Sequence, residues 1–179
     1  AAPMDITVVP AQGGVGGGVS TQANTVAERF AQKLGGYYRF LHLPDGLSGA
    51  AADELARLPQ VREPLELVRH ADVFLYGVGR AMELAQRRGL SASERDRLAQ
   101  EGAVAEALGF YINAQGRVVG GGSSLAIQPE DIGRKNRAAA VAAGRAKAEA
   151  ILAVCAHHPH KLLVADEGAA LRMMELLRA

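Results

Sequence analysis

Two cations follow a glycine in Gly144-Arg145-Ala146-Lys147, where a run of small residues gives way to a helix-length segment. The free N–H groups at a helix start favour an anion, so positive side chains there cost stability unless something negative is bound. One reading is therefore a phosphate held by Lys147 and Arg145; the other is a pair of solvated cations. Arg87-Arg88 closes another helical stretch, where the dipole favours cations, and reads equally as dipole partners or as ligand contacts. Glu106 is the single charge in Ala103-Val104-Ala105-Glu106-Ala107-Leu108-Gly109. If buried, its carboxylate would accept hydrogen bonds from sugar hydroxyls; as a lone glutamate on a helix it would be solvated. Asp166-Glu167 follows a short apolar run and offers acid–base chemistry or, preferably, a helix cap. His157-His158-Pro159-His160 has metal-binding side chains, but its proline forbids helical i, i+4 presentation. No acidic or cysteine partner lies at a familiar spacing, so it reads as a loop and no metal is expected. Cys155 reads as a small apolar residue.

The glycine-rich segments do not complete a nucleotide motif. Gly77-Val78-Gly79-Arg80-Ala81-Met82 starts like a dinucleotide fingerprint and places Met82 where the third glycine belongs. Gly13 to Gly18 is also out of phase, and no phosphate loop ending in Gly-Lys-Ser/Thr occurs. Glycines that allow tight strand-to-helix turns account for Gly77 and Gly79. In open α/β sheets such turns lie at the carboxyl ends of strands, where ligands collect.

The elements that must position these residues alternate along the chain. Ile6–Val9 predicts a strand stopped by Pro10. Ser20 or Thr21 then caps a helix to about Leu34, with Val26, Phe30 and Leu34 on one face and Gly35-Gly36 ending it. A strand is expected over Tyr37–Leu43, closed by the turn Pro44-Asp45-Gly46. Helices follow around Ala50–Leu58 and Pro64–His70. Asp72–Tyr76 is almost wholly apolar and predicts a strand covered on both faces. A helix then runs to Arg88, another over Ser93–Gln100, and a hairpin or bent strand pair over Val118–Ile127. Ala138–Ala143 predicts a strand followed by a helix to about Ala156, Lys161–Ala165 the last strand, and Ala169–Leu177 the last helix. Strand, glycine turn and helix recur at least four times, which implies α/β with a mostly parallel sheet flanked by helices.

Composition excludes several classes. The 179 residues, 49% hydrophobic and 22% charged, suit one domain with its own core rather than a disordered chain. A net charge of +1 removes the global basic footprint of a DNA-gripping domain, and 4% aromatics leave little for a base-stacking platform. One cysteine rules out an internal disulfide framework. Apolar runs fall short of the ~18 residues a membrane span needs, and the first residues lack the features of a signal peptide. A soluble, cytoplasmic protein with no membrane partner is expected.

Taken in order, several blocks resemble the sugar-binding, effector-sensing domain of SorC/DeoR-type bacterial transcriptional regulators, in particular the glycolytic members of that family. They are Val9-Pro10-Ala11-Gln12-Gly13-Gly14-Val15-Gly16, Gln22-Ala23-Asn24-Thr25, Gly36-Tyr37-Tyr38-Arg39 and Leu43-Pro44. They continue with Gly77-Val78-Gly79, Ala85-Gln86-Arg87-Arg88, Ala103 to Tyr111 with Asn113, Lys147-Ala148-Glu149-Ala150-Ile151 and Leu163 to Ala170. The likeness runs from about Val8 to the C-terminus. It implies a Rossmann-like fold akin to sugar-phosphate isomerases and glucosamine-6-phosphate deaminases, used for sensing rather than turnover and without a cofactor. It further implies a phosphorylated-sugar effector, fructose 1,6-bisphosphate or a sugar monophosphate, contacted by Gln12, Gln22, Arg87, Glu106 and Lys147, none of them catalytic. Lys147 would meet a phosphate, and Glu106 and Gln22 the sugar.

Two departures follow from the same resemblance. Glycolytic members carry Arg where this chain has Gln12, so one phosphate contact loses its charge. The chain also starts after the family's Gly-Thr-Thr phosphate loop and helix-turn-helix. Residues 1–179 are thus expected to be an N-terminally incomplete effector domain of a homodimer or homotetramer, with operator DNA contacted only through the missing N-terminal domain. The rival from another class is a sugar-phosphate isomerase or deaminase, whose base would have to come from Glu106 or Asp166-Glu167.

Overall fold

The computed structural model describes residues 4–13, 19, 22–43, 47, 49–122, 125, 127–128, 131–132, 137–157 and 162–178. The chain divides into two compact units, Ala1–Ala71 with Ser123–Ile127, and Asp72–Gly122 with Gln128–Ala179.

In the first unit, β1 (Thr7–Val8) and β2 (Tyr37–Tyr38) pair in parallel, Thr7 opposite Tyr37, and α1 (Ala23–Leu34) crosses between them. The helix stops at Gly35, whose left-handed backbone (φ 68°) lets its N–H reach the carbonyls of Ala31 and Gln32. Its buried face is Ala27 and Ala31. Val26 and Phe30, expected on the core side, are 53% and 42% exposed. Alanines let the helix backbone lie close on β1 and β2, which carry its tertiary contacts. The strand expected over Tyr37–Leu43 ends at Tyr38 because a side chain takes over the pairing. Asn24 Nδ2 donates to Leu41 O at 3.1 Å, and Leu41 N donates to Asn24 Oδ1 at 2.9 Å. Leu41 and Leu43 thereby enter a core with Val61 and Leu65. The helices α2 (Gly49–Arg57) and α3 (Pro59–Arg69) complete the unit. The second begins at Pro59, where a missing N–H is harmless, rather than at Pro64, which is buried inside it. The turn at 44–46 and the glycines 14–18 lie outside the described residues, and the cap expected at Ser20 or Thr21 falls instead at Gln22.

The second unit holds two sheets. β3 (Phe74–Gly77), β8 (Ala138–Ala142) and β9 (Leu162–Ala165) form a parallel one in the order β3-β8-β9, with Tyr76 opposite Ala140 and Ala140 opposite Leu163. A 3-10 turn (Arg145–Lys147) and α6 (Ala148–His157) connect β8 to β9, and α7 (Glu167–Leu176) follows. β4 (Gly79–Arg80), β5 (Ala103–Ala107), β6 (Phe110–Asn113) and β7 (Val118–Gly121) form an antiparallel sheet in chain order. Between β4 and β5 lie α4 (Ala81–Arg87) and α5 (Ala92–Gln100), the latter opened by a capping box in which Ser91 and Glu94 satisfy each other's backbone N–H.

The fold is therefore mixed α/β, and the expectation of a mostly parallel sheet is corrected by the four-stranded antiparallel one. Alanine-rich 103–108 lacks the β-branched and aromatic residues that mark strands, so it reads as helix. A two-residue turn with positive φ at both Leu108 (58°) and Gly109 (86°) makes it one arm of a hairpin. The expectation that β3 is covered on both faces also fails. Phe74 and Tyr76 are buried and Leu75 between them is 49% exposed, because the pleat turns alternate residues to opposite faces. A core of Ala81, Ala85, Leu98, Ala103 and Tyr111 joins α4 and α5 to the antiparallel sheet.

Candidate functional site

Parallel strands leave their carboxyl ends together, and in the second unit those ends carry polar groups. β8 gives way to Gly144 at φ 103°, ψ 133°, a conformation that favours glycine, and the chain then turns through Arg145–Lys147 into α6. β9 gives way to Asp166, the N-cap of α7. Its carboxylate accepts from Ala169 N at 2.9 Å, and both its oxygens lie 3.0 Å from Gly144 N. The Gly144 and Ala169 N–H groups hold Asp166 below the usual carboxylate range. The preferred capping role of Asp166 is what the geometry displays, and it also fastens the turn after β8.

The two cations of that turn have different fates. Arg145 Nη2 reaches both carboxylate oxygens of Glu175 on α7, at 2.9 and 2.6 Å, and Arg172 joins the same carboxylate at 2.8 Å. Glu175 is held low by Arg172 and then Arg145. Lys147 is half-buried and has no side-chain partner among the described residues. Both cations precede α6 instead of lying in its first turn, which carries Glu149. Neither cation therefore opposes the α6 dipole from its first turn; Lys147 is instead a half-buried cation without a side-chain partner among the described residues.

Glu106 lies on β5, not on a helix, and is 3% exposed. Its Oε1 accepts from Arg88 Nη2 at 2.9 Å and from Gly109 N at 2.6 Å. Neither Oε2 bond nor any further partner occurs among the described residues. Burial pushes the carboxyl above its usual range, against the pull of Arg88 and of the Gly109 N–H. Arg87 is exposed at the end of α4 without a side-chain partner among the described residues. Sequence reasoning singled out Arg87 and missed the role of Arg88. Consecutive helical residues point about 100° apart, so one arginine of a terminal pair turns to the sheet while the other faces water. Which one does so is set by helix phase relative to β5.

Gln12 and Gln22 belong to the first unit. Gln12 follows β1, and its amide oxygen is buried with no donor among the described residues. Gln22 is the N-cap residue of α1, with no side-chain cap bond. The second unit therefore brings Arg87, Glu106 and Lys147 onto one compact body, and the first carries Gln12 and Gln22 beside the carboxyl end of β1 and the start of α1. A hollow of about 180 Å³ in the second unit, between Arg80, Met82, Val104, Ala146 and Glu149, is lined by none of the five.

His157 ends α6 with Nδ1 2.6 Å from the Gly116 carbonyl, and residues 158–160 lie outside the described ones. No cluster of three metal-binding side chains occurs among the described residues. Cys155 is half-buried, with its thiol pushed up by burial. No helix among the described residues is long and apolar enough to cross a membrane.

Comparison with known proteins matches residues 2–175 to the family described as "Putative sugar-binding domain". The central glycolytic genes regulator of Priestia megaterium is 38% identical over 166 residues, covering 93% of this chain and 48% of that protein. The same regulator of Bacillus subtilis is 38% identical over 170 residues, covering 95% and 50%. The chain thus spans about half the length of the curated relatives it matches. A crystal structure described as a SorC family transcriptional regulator from Enterococcus faecalis superposes with a TM-score of 0.88 at 35% identity, over 97% of this chain and 71% of that one. These relatives are described as regulators of transcription, not as enzymes.

Proposed function

This chain belongs to the sugar-binding domain family, and we propose that it is the effector-sensing part of a bacterial transcriptional regulator, taking a phosphorylated sugar. The observation that carries the reading is Lys147, half-buried after β8 and without a side-chain partner among the described residues, while its neighbour Arg145 is engaged by Glu175. A phosphate is the complement such a cation lacks. Glu106, with one carboxylate oxygen committed and the other open, suits the hydroxyls of the sugar. Arg87, on the same unit, is proposed as a further contact, and Gln12 and Gln22 of the first unit are proposed as effector contacts on the family resemblance alone.

The likeness to central glycolytic genes regulators supports fructose 1,6-bisphosphate or a sugar monophosphate as the effector. DNA binding would belong to the parent protein outside these residues, as the net charge of +1 also suggests. The parent would be a cytoplasmic homodimer or homotetramer whose arrangement responds to the sugar. A Rossmann-like kinship with sugar-phosphate isomerases and deaminases fits the grouping of polar residues at parallel strand ends. Turnover is disfavoured because the relatives are described as regulators, and Asp166 is engaged as a helix cap by Gly144 and Ala169.

The test is calorimetric titration with fructose 1,6-bisphosphate and with fructose and glucose 6-phosphates. Lys147→Ala should weaken binding by about 1.5–3 kcal/mol, the range for a charge-assisted hydrogen bond. Unchanged affinity in this variant sinks the reading of Lys147, and no binding by the wild type sinks the sensor.

Position 12 should set the choice of ligand. A neutral amide cannot grip a phosphate with two parallel charged bonds as Arg does, and the Gln12 amide oxygen is an acceptor with no donor among the described residues. A monophosphate with a hydroxyl at that end should be preferred over the bisphosphate. Gln12→Arg should reverse the preference by about ten- to a hundredfold. A wild type that already favours the bisphosphate, with no gain from the substitution, contradicts this.

A further inference from the structure

We propose that Arg88 is the positioning residue of the sugar-facing carboxylate, fixing Glu106 through Oε1 so that Oε2 is presented to a ligand hydroxyl as an anion. The inference rests on the sensor reading above. Three observations carry it. Glu106 is 3% exposed on β5, where a carboxylate without a positive neighbour would take up a proton. Arg88, at the C-cap of α4 with its side chain 13% exposed, reaches it at 2.9 Å. The second bond to Oε1 comes from Gly109 N, inside the hairpin turn that places Leu108 at φ 58°. Two donors on one oxygen fix the plane of the carboxylate and leave the other oxygen uncommitted.

A protonated Glu106 would offer a ligand one donor and a weaker acceptor; the anion offers a strong acceptor. Arg88 is the charged group that opposes the effect of burial on this carboxyl. Among the described residues no second cation acts on it. Across β6 the register neighbour is Tyr111, whose buried hydroxyl has no partner among the described residues and is pushed up by burial. Across β4 the neighbour is Gly79. From α5, Glu94 acts on Tyr111, and α6, packed on the same strand, contributes no charge that acts on Glu106.

The experiment uses the full chain as wild type, Arg88→Gln, Arg88→Lys and Glu106→Gln. Carboxyl ¹³C titration of labelled glutamate in the unliganded protein reads the Glu106 midpoint directly. Calorimetry with fructose 6-phosphate and fructose 1,6-bisphosphate, between about pH 6 and about pH 8, reads its consequence. Arg88→Gln should move the midpoint upward and lose about tenfold in affinity at the acidic end relative to wild type, with much less loss at the alkaline end. Arg88→Lys, which keeps the charge, should restore most of both. Should the Gln variant not fold, the comparison falls to Glu106→Gln, which should abolish the part of the wild-type pH dependence that follows the Glu106 midpoint. The proposal is overturned by an unmoved midpoint, or by a loss of affinity that is the same at every pH and equal in the Gln and Lys variants. Retention in Glu106→Gln of the part of the pH dependence that follows the Glu106 midpoint overturns it as well. If wild type binds neither sugar phosphate, the sensor reading fails, and the carboxyl titration alone decides whether Arg88 controls Glu106.

Discussion

Arg88→Met should lower the stability of the chain by about 3–5 kcal/mol near pH 8, the cost of leaving one member of a buried ion pair without the other. The pair is almost wholly enclosed, with side-chain exposures of 13% for Arg88 and 5% for Glu106, so solvent screening discounts it little. The loss should shrink on acidification, and its sign follows from the carboxyl. In the folded chain burial already raises Glu106 above its ordinary value against the pull of Arg88. A group raised on folding contributes stability that is fully present below its unfolded value and is lost as pH rises through the folded one. Removing Arg88 raises the folded value further and widens that window. The wild type and the variant therefore differ least at the acid end and most above the variant's midpoint. Urea unfolding of both near pH 5 and near pH 8 measures this. Equal differences at the two pH values, or a loss under about 1 kcal/mol at the alkaline one, contradict the pairing.

Gly121→Ala should cost about 3 kcal/mol, which for a chain of this length corresponds to roughly 6–12 °C in the melting temperature. Gly121 has φ 78°, where a side chain is strained. A Cβ there would also drive into the Gly109 carbonyl oxygen and press on the Tyr111 ring. That carbonyl accepts from Gly122 N at 2.8 Å, while Gly109 N serves Glu106. Pushing β7 away therefore disturbs the turn that braces the candidate site as well as the strand pairing of Phe110 with Gly121. Gly89→Ala is the control, since its φ is 74° with open space around it. It should lose only the backbone contribution, about 1 kcal/mol. Equal losses in calorimetric melts of the two variants would show that the close approach of β7 to the turn carries no weight.

The sequence by itself determined local turn and capping signals and the family. The glycine after the 138–143 run and Asp166 after the last strand could be placed because each acts within a few residues of itself, through backbone freedom or capping. The ordered blocks from Val9-Pro10 to Ala169-Ala170 sufficed for the family, since such a likeness needs residue identities and no coordinates.

What only the tertiary structure decided depends on partners far away in the chain. Glu106 could not be told from a solvated helical glutamate, because its alanine-rich neighbourhood favours helix locally; pairing with Gly79 and Tyr111 makes it a buried strand residue. Burial of Ala27 and Ala31 rather than Val26 and Phe30 is likewise a matter of how closely α1 lies on β1 and β2, not of its own periodicity. The sequence shows Arg145 and Lys147 as equivalent cations. Glu175, 30 residues on, engages the first, and the second has no side-chain partner among the described residues. Between Arg87 and Arg88 the choice turns on about 100° of helix phase against β5, and on a carboxylate 18 residues away at 2.9 Å from Arg88. Local composition carries no information about either, since both are fixed by which surfaces the packed chain brings into contact.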